Sequence, residues 1–126
     1  MTILTKYNLC TSSNVMQLKN INLPMAEIAQ FCQKWNLTEL ALFGSVLRDD
    51  FKPDSSDVDV MIQYRPVSVP SYYDLDLMEE DLKAIFGRDV DVITRPSIEN
   101  SANYLRRHEI LSSAQVIYES RSSISA

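Results

Sequence analysis

Two copies of the sequence Asp-Val-Asp-Val hold the residues of this chain that are best suited to chemistry: Asp57 and Asp59 in the first, Asp89 and Asp91 in the second. Valine favours strands, and residues i and i+2 of a strand point to the same face. The two aspartates of each copy should therefore project side by side. If the strands are adjacent, several carboxylates meet, and such oxygen ligands suit hard divalent cations such as Mg²⁺. The alternative is that these aspartates lie at strand ends and splay into solvent.

Gly44-Ser45 precedes the first aspartate pair and follows the apolar run Glu39 to Phe43. A strand that ends at glycine and turns into a helix opening with serine presents free backbone N–H groups and a hydroxyl. Such a turn suits a phosphate, although the turn taken alone favours the interpretation of Ser45 as an ordinary N-cap of a short helix. The phosphate-binding turn and the Asp-x-Asp pair that follows it together indicate a site for a nucleotide and a metal ion.

The segment LFGSVLRDDFKPDSSDVDVMI resembles the minimal nucleotidyltransferase family of the DNA polymerase β superfamily. That family has Gly-Ser, then Asp-x-Asp, then a third carboxylate on a later strand. The resemblance runs from about the first helix to Glu119, and ILSSAQVIYE is similar to the usual ending. Eleven residues separate Ser45 from Asp57, one more than in the family pattern, and Ser55-Ser56 looks like the insertion. Loops tolerate such changes of length.

The resemblance implies a role for each matching residue. Ser45 would contact the nucleotide triphosphate, and Gly44 would allow its close approach. Asp57 and Asp59 would hold two Mg²⁺ ions, with Mn²⁺ as a substitute. Asp91 would ligate the catalytic metal as the third carboxylate.

Two nearby residues keep alternative interpretations. Asp89 is the substitute candidate for the third carboxylate and is expected to flank the site. Arg48 could contact a phosphate or form a salt bridge with Asp49 or Asp50, and we favour the salt bridge.

The resemblance also implies an activity: transfer of AMP from ATP to a tyrosine hydroxyl of a cognate HEPN-type RNase toxin, which the modification neutralises. No residue of the motif reads the base, so ATP is expected from the family alone. The chain has a catalytic module without an evident acceptor-binding domain, which favours a protein partner that supplies the acceptor surface. The alternatives are a non-catalytic antitoxin that masks the toxin and an enzyme that modifies a small molecule such as an aminoglycoside.

Charge and composition exclude several other classes of protein. The 126 residues carry a net charge of −5, and residues 49–91 hold 12 acidic against four basic side chains. An acidic chain is a poor non-specific binder of nucleic acid, and no apolar stretch approaches the ~18 residues that cross a membrane. A single histidine, His108, excludes most histidine-built metal sites. Two cysteines, Cys10 and Cys32, make no disulfide framework, so a reduced cytoplasmic location is expected.

The pattern of apolar residues predicts an α/β sandwich around a small mixed sheet, as in the polymerase-β-type core. Strands are predicted at residues 39–43, 57–64, 89–93 and 116–118 and helices near 22–35, 45–48, 71–86 and 103–111, with a loop over 49–56. Ser71 and Asp74 predict a capping box, and Gly87 predicts a helix end.

The domain is expected to span residues 21–119, after a loosely packed arm (1–20) and before a disordered tail (120–126). Three groups of aromatic or charged residues outside the motif are given structural interpretations. Phe31 and Trp35 are expected in the core. Tyr72 and Tyr73 could stack on a base or be modified, but they are expected to pack at a helix start. The run 106–108 (RRH) could touch a phosphate or a partner, but it is expected on a solvated helix face.

Overall fold

The computed structural model describes residues 15–18, 20–52 and 55–120. Most of the predicted arm and nearly all of the predicted tail therefore lie outside the described residues. The described elements follow one another as β1 (Val15–Gln17), β2 (Asn22–Pro24), α1 (Met25–Lys34), β3 (Leu37–Phe43), a short 3-10 helix (Gly44–Leu47), β4 (Val58–Tyr64), α2 (Tyr72–Phe86), β5 (Val90–Thr94), α3 (Arg95–Glu99), α4 (Tyr104–Ser113) and β6 (Gln115–Glu119).

Four strands form the central sheet in the order β5-β4-β3-β6. β4 pairs with β5 in parallel, while β3 pairs with both β4 and β6 antiparallel. β1 and β2 form a separate two-stranded antiparallel sheet. The predicted α/β fold with a small mixed sheet is confirmed.

Alternation along the strands gives the central sheet two buried faces. Residues such as Leu40, Leu42 and Val60 pack in the larger apolar cluster, which includes buried side chains of α1 and α2. The intervening residues form a smaller cluster with one side chain from α3 and one from α4: Ala41, Phe43, Met61, Ile98 and Ile110. Helices therefore cover both faces of the sheet, as in a sandwich.

The ends of α2 form as the sequence predicts. The Ser71 side chain accepts a hydrogen bond from the backbone N–H of Asp74, and the Asp74 carboxylate accepts one from the N–H of Ser71. Gly87 ends the helix with φ of 72°, in the left-handed region that favours glycine. The resulting helix buries Met78 and Leu82 against the sheet.

Three local predictions differ from the structure. Part of the expected loose arm is ordered, because β1 pairs with β2 and Leu18 is buried in the core. Residues 22–24 extend as β2, so that α1 begins at Met25 with Pro24 at the N-cap position. The helix α3 was not predicted; the Thr94 hydroxyl caps it and Pro96 occupies its first turn, where proline is tolerated.

Candidate active site

Asp59 and Asp91 lie opposite each other on the adjacent parallel strands β4 and β5. Strand alternation places Asp59 on the same face as Met61, the face covered by α3 and α4. Both aspartates line an open cavity of about 640 Å³, together with Gly44 and Ser45. The structure therefore brings together four of the five residues that the sequence assigns to the site.

Asp57 lies just before the first residue of β4 and is exposed. It is close enough for its charge to act on Asp59, but it is not part of the cavity lining. Within residues 15–18, 20–52 and 55–120, no three Asp, Glu, His or Cys side chains are grouped closely enough to hold a metal ion. The predicted convergence is thus seen for Asp59 and Asp91, whereas Asp57 is outside the cavity lining.

Gly44 is in direct contact with Asp59, which explains why the residue is glycine. Its φ is 80°, which residues other than glycine rarely adopt, and a Cβ at this position would collide with Oδ2 of Asp59. The absence of a side chain lets the end of β3 approach the carboxylate.

Ser45 follows as the second residue of the 3-10 helix, whose N-cap position is Phe43. The alternative in which Ser45 is an ordinary N-cap is therefore wrong. The predicted helix over 45–48 forms instead as this 3-10 turn, and its Ser45 carbonyl accepts a hydrogen bond from the N–H of Arg48 at 2.9 Å.

The electrostatics of the site centre on Asp59. Partial burial raises the pKa of the Asp59 carboxyl above its usual value, and the negative charges of Asp91 and Asp57 raise the pKa further. Arg48 and Arg106 act in the opposite direction and lower the pKa. A bound cation would relieve the repulsion among the carboxylates, and an all-oxygen donor set fits Mg²⁺ or Mn²⁺.

Arg48 forms the predicted salt bridge, and Asp89 has the predicted flanking position. The Arg48 guanidinium donates to Oδ1 of Asp50 at 3.2 Å, which is the predicted salt bridge. Arg48 also lines the cavity. Asp89 is exposed, lies 3.9 Å from Nζ of Lys83 and is absent from the cavity lining, so it flanks the site.

Four charged or polar residues that line the cavity are not among the site residues predicted from the sequence: Glu79 of α2 and Arg106, Glu109 and Ser113 of α4. Glu79 accepts a hydrogen bond from the backbone N–H of Val92 at 3.1 Å and so anchors α2 to β5. The three residues of α4 are spaced at i, i+3 and i+7, one face of a helix. That spacing is the signal that could have separated Arg106 from its neighbour Arg107, which donates instead to the carbonyl of Ser101.

The remaining aromatic predictions have mixed outcomes. Phe31 is buried, and Trp35 packs against the core while its indole N–H donates to Asp81 at 3.0 Å. Tyr72 and Tyr73 are 90% and 71% exposed, so the expectation that they pack at the start of the helix is wrong. They lie in the first turn of α2, ahead of its buried residues Met78 and Leu82.

The structure also bears on the cysteines and on membrane-spanning helices. Cys32 is buried and free, and burial raises the pKa of its thiol. Cys10 lies outside the described residues. None of the α-helices in the part of the chain that the structure describes is long and apolar enough to cross a membrane.

Comparison with known proteins places this geometry in a family. The model of the family described as nucleotidyltransferase domain matches residues 26–117. The protein adenylyltransferase MntA of Thermococcus cleftensis is 31% identical over 68 residues, which are 54% of this chain and 66% of the relative. Two proteins of Methanocaldococcus jannaschii, both provisionally named as protein adenylyltransferases, are 36% identical over 67 residues (53% of this chain, 66% of the relative) and 30% identical over 79 residues (63% and 82%). The chain thus matches about two thirds of the length of the first two of these relatives.

Solved structures of toxin–antitoxin complexes share the fold. A chain of a toxin–antitoxin complex with AMP-PNP superimposes with a TM-score of 0.57 at 14% identity, over 79% of this chain and 77% of the other. A chain of the MntA-HepT toxin–antitoxin complex gives a TM-score of 0.52 at 13% identity, over 79% and 74%. Because the family model matches most of its residues and the fold agrees, this chain belongs to the nucleotidyltransferase domain family.

Proposed function

We propose that this protein transfers AMP from ATP to a tyrosine hydroxyl of a partner protein, a HEPN-type RNase toxin, and thereby neutralises the toxin. One observation carries the proposal: Asp59 and Asp91 are paired on adjacent strands in a cavity that also contains Gly44-Ser45. Support for the partner comes from relatives that are named protein adenylyltransferases and from structural neighbours that are toxin–antitoxin complexes.

Asp59 and Asp91, together with Asp57, whose charge acts on Asp59, are the residues that would hold Mg²⁺, as two ions in the family's manner. When bound, the metal supplies positive charge that offsets the charge of the phosphates and lowers the pKa of the attacking hydroxyl. Burial and then repulsion from Asp91 and Asp57 raise the pKa of the Asp59 carboxyl, and a bound cation would offset that repulsion.

The chain's own residues then bind and orient the reactants. Gly44 and Ser45 contact the triphosphate, where the lack of a side chain at Gly44 keeps the backbone close to Asp59. The acceptor oxygen attacks the α-phosphorus in line, and the bond from this phosphorus to the oxygen that bridges to the β-phosphate breaks. Pyrophosphate leaves, and the hydroxyl proton passes to the carboxylate of Asp91. Catalysis of this kind rests mainly on positioning and on neutralising charge.

A tyrosine acceptor and an RNase target are chemically consistent with each other. The phenol has a pKa of about 10 and ionises more readily than an aliphatic hydroxyl. AMP attached near an RNase active site adds bulk and negative charge, which repels the phosphates of RNA. A basic RNase would also be attracted to this chain, whose net charge is −5.

Mass spectrometry of the partner protein after co-expression tests the proposal. We expect the toxin to gain the mass of one or more adenylyl groups on tyrosine with the wild-type chain, and to stay unmodified with Asp59→Asn. A stable, inhibited complex without added AMP would instead favour an antitoxin that masks the toxin. Transfer to an aminoglycoside in place of the protein would favour a small-molecule nucleotidyltransferase.

A further inference from the structure

The helix α4 carries an arginine into the candidate active site. α4 packs Ile110 on the face of the sheet to which Asp59 belongs. On the same side of the helix, Arg106 and Glu109 line the cavity with Asp59 and Asp91. Arg106 therefore faces the carboxylates from the layer above the sheet, whereas Gly44-Ser45 reach the cavity from the end of β3.

The guanidinium of Arg106 is free to bind a ligand. Its backbone is fixed, because its N–H donates to the side chain of Asn103 at 3.1 Å and so caps the helix. Its side chain forms no hydrogen bond or ion pair with any residue that the structure describes, even though Glu109 lies one turn further along α4. Arg48, the other arginine of the cavity, already binds Asp50.

The cavity needs such a cation if it is to accept a polyphosphate. Four carboxylates line it, from Asp59, Glu79, Asp91 and Glu109, against two guanidiniums. Metal ions on the aspartates would offset part of this negative charge, but the β- and γ-phosphates extend beyond the reacting α-phosphate and carry most of the charge of ATP. A guanidinium offers a planar pair of N–H donors that matches two phosphate oxygens.

We infer that Arg106 binds the β- and γ-phosphates of the nucleotide and the pyrophosphate that leaves. This inference rests on the proposed function, because it takes ATP as the substrate of the same cavity. It adds a binding residue that lies outside the Gly-Ser and Asp-x-Asp motifs, on an element that reaches the site only through tertiary packing.

Binding of ATP and of AMP to the purified chain, without any acceptor protein, tests the inference by calorimetry. We expect Arg106→Ala to weaken ATP binding about tenfold or more, as for loss of a hydrogen bond between charged groups, and to leave AMP binding unchanged. Arg106→Lys keeps the charge but not the paired donors, so its affinity for ATP should lie between those of the wild type and Arg106→Ala.

Arg107→Ala is the matched control, since it removes the same charge from the neighbouring position, whose side chain bonds to the Ser101 carbonyl. It should leave the ratio of ATP to AMP affinity unchanged. Unchanged ATP binding by Arg106→Ala, or equal losses for ATP and AMP, would overturn the inference. So would a loss confined to binding of the partner protein, which would make Arg106 a docking residue. If the wild type binds ATP through Arg106 but labels no acceptor, the proposed function fails and the inference stands.

Discussion

Replacing Gly44 with alanine tests the contact that holds β3 against the carboxylate of Asp59. The new Cβ would collide with Oδ2 of Asp59, which therefore could not stay in place. The side chain of Asp59 is short, so it can escape only by rotating the carboxylate away from its position beside Asp91. The substitution should therefore displace the residue that we assign to metal binding.

The expected loss of stability has two parts. A residue other than glycine in the left-handed region costs about 1–2 kcal/mol, and forcing the Asp59 side chain off its rotamer costs about 0.5–1.5 kcal/mol more. Gly87→Ala is the matched control, because Gly87 has a similar φ of 72° but nothing within 4 Å of the added Cβ. Gly44→Ala should therefore lower the free energy of unfolding by more than Gly87→Ala does.

Urea unfolding followed by the fluorescence of Trp35, the single tryptophan, measures both variants. Repeating the pair in an Asp59→Ala background completes a double-mutant cycle. The difference between the two glycine positions should disappear there, because the colliding carboxylate is gone. Equal losses for the two glycines in the wild-type background, or a difference that persists without Asp59, would refute the reasoning.

Three further predictions concern charge, an anchoring hydrogen bond and a helix cap. In metal-free buffer at neutral pH, Asp59→Asn should raise the free energy of unfolding by about 0.2–1 kcal/mol, since like charges across strands are unfavourable. Because the pKa of Asp59 is raised in the folded protein, this gain in stability should shrink as the pH falls through that pKa. A gain that grows on acidification would contradict the prediction. Glu79→Ala should lower the free energy of unfolding by about 1–3 kcal/mol, because it leaves the part-buried N–H of Val92 unpaired. Glu79→Gln keeps an acceptor and should lower it less in the same unfolding assay. Equal losses would count against a stabilising role for the hydrogen bond between Glu79 and Val92. Ser71→Ala should cost about 0.5–2 kcal/mol through loss of the α2 capping box, read from thermal unfolding, and an unchanged melting temperature would exclude that contribution.

Local signals were sufficient to predict most of the elements that carry the site. The two Asp-Val-Asp-Val segments predict strands, and pairing those strands places Asp59 beside Asp91. The capping box and Gly87 predict both ends of α2, because these features depend on residues within one turn. The roles of the site residues in binding metal and nucleotide stay predictions.

Features that depend on packing between distant elements could not be predicted in the same way. Alternation predicts Asp57 on the face of Asp59, but Asp57 precedes the strand and is not part of the cavity lining. The run 106–108 is predicted on a solvated face, and Arg106 and His108 are indeed exposed. That Arg106 also lines the cavity depends on the packing of α4 against the sheet through Ile110, which local sequence does not reveal. Gly44 suggested close approach of a phosphate, whereas the structure adds a steric reason, its contact with Asp59.

Transfer of radiolabel from ATP to the co-purified partner protein tests the central claim most directly. ATP labelled at the α-phosphate should label the partner, ATP labelled at the γ-phosphate should not, and Asp59→Asn and Asp91→Asn should abolish the labelling while remaining folded. Labelling from the γ-phosphate, or α-labelling at the wild-type rate by either variant, would contradict a nucleotidyl transfer that depends on the paired aspartates.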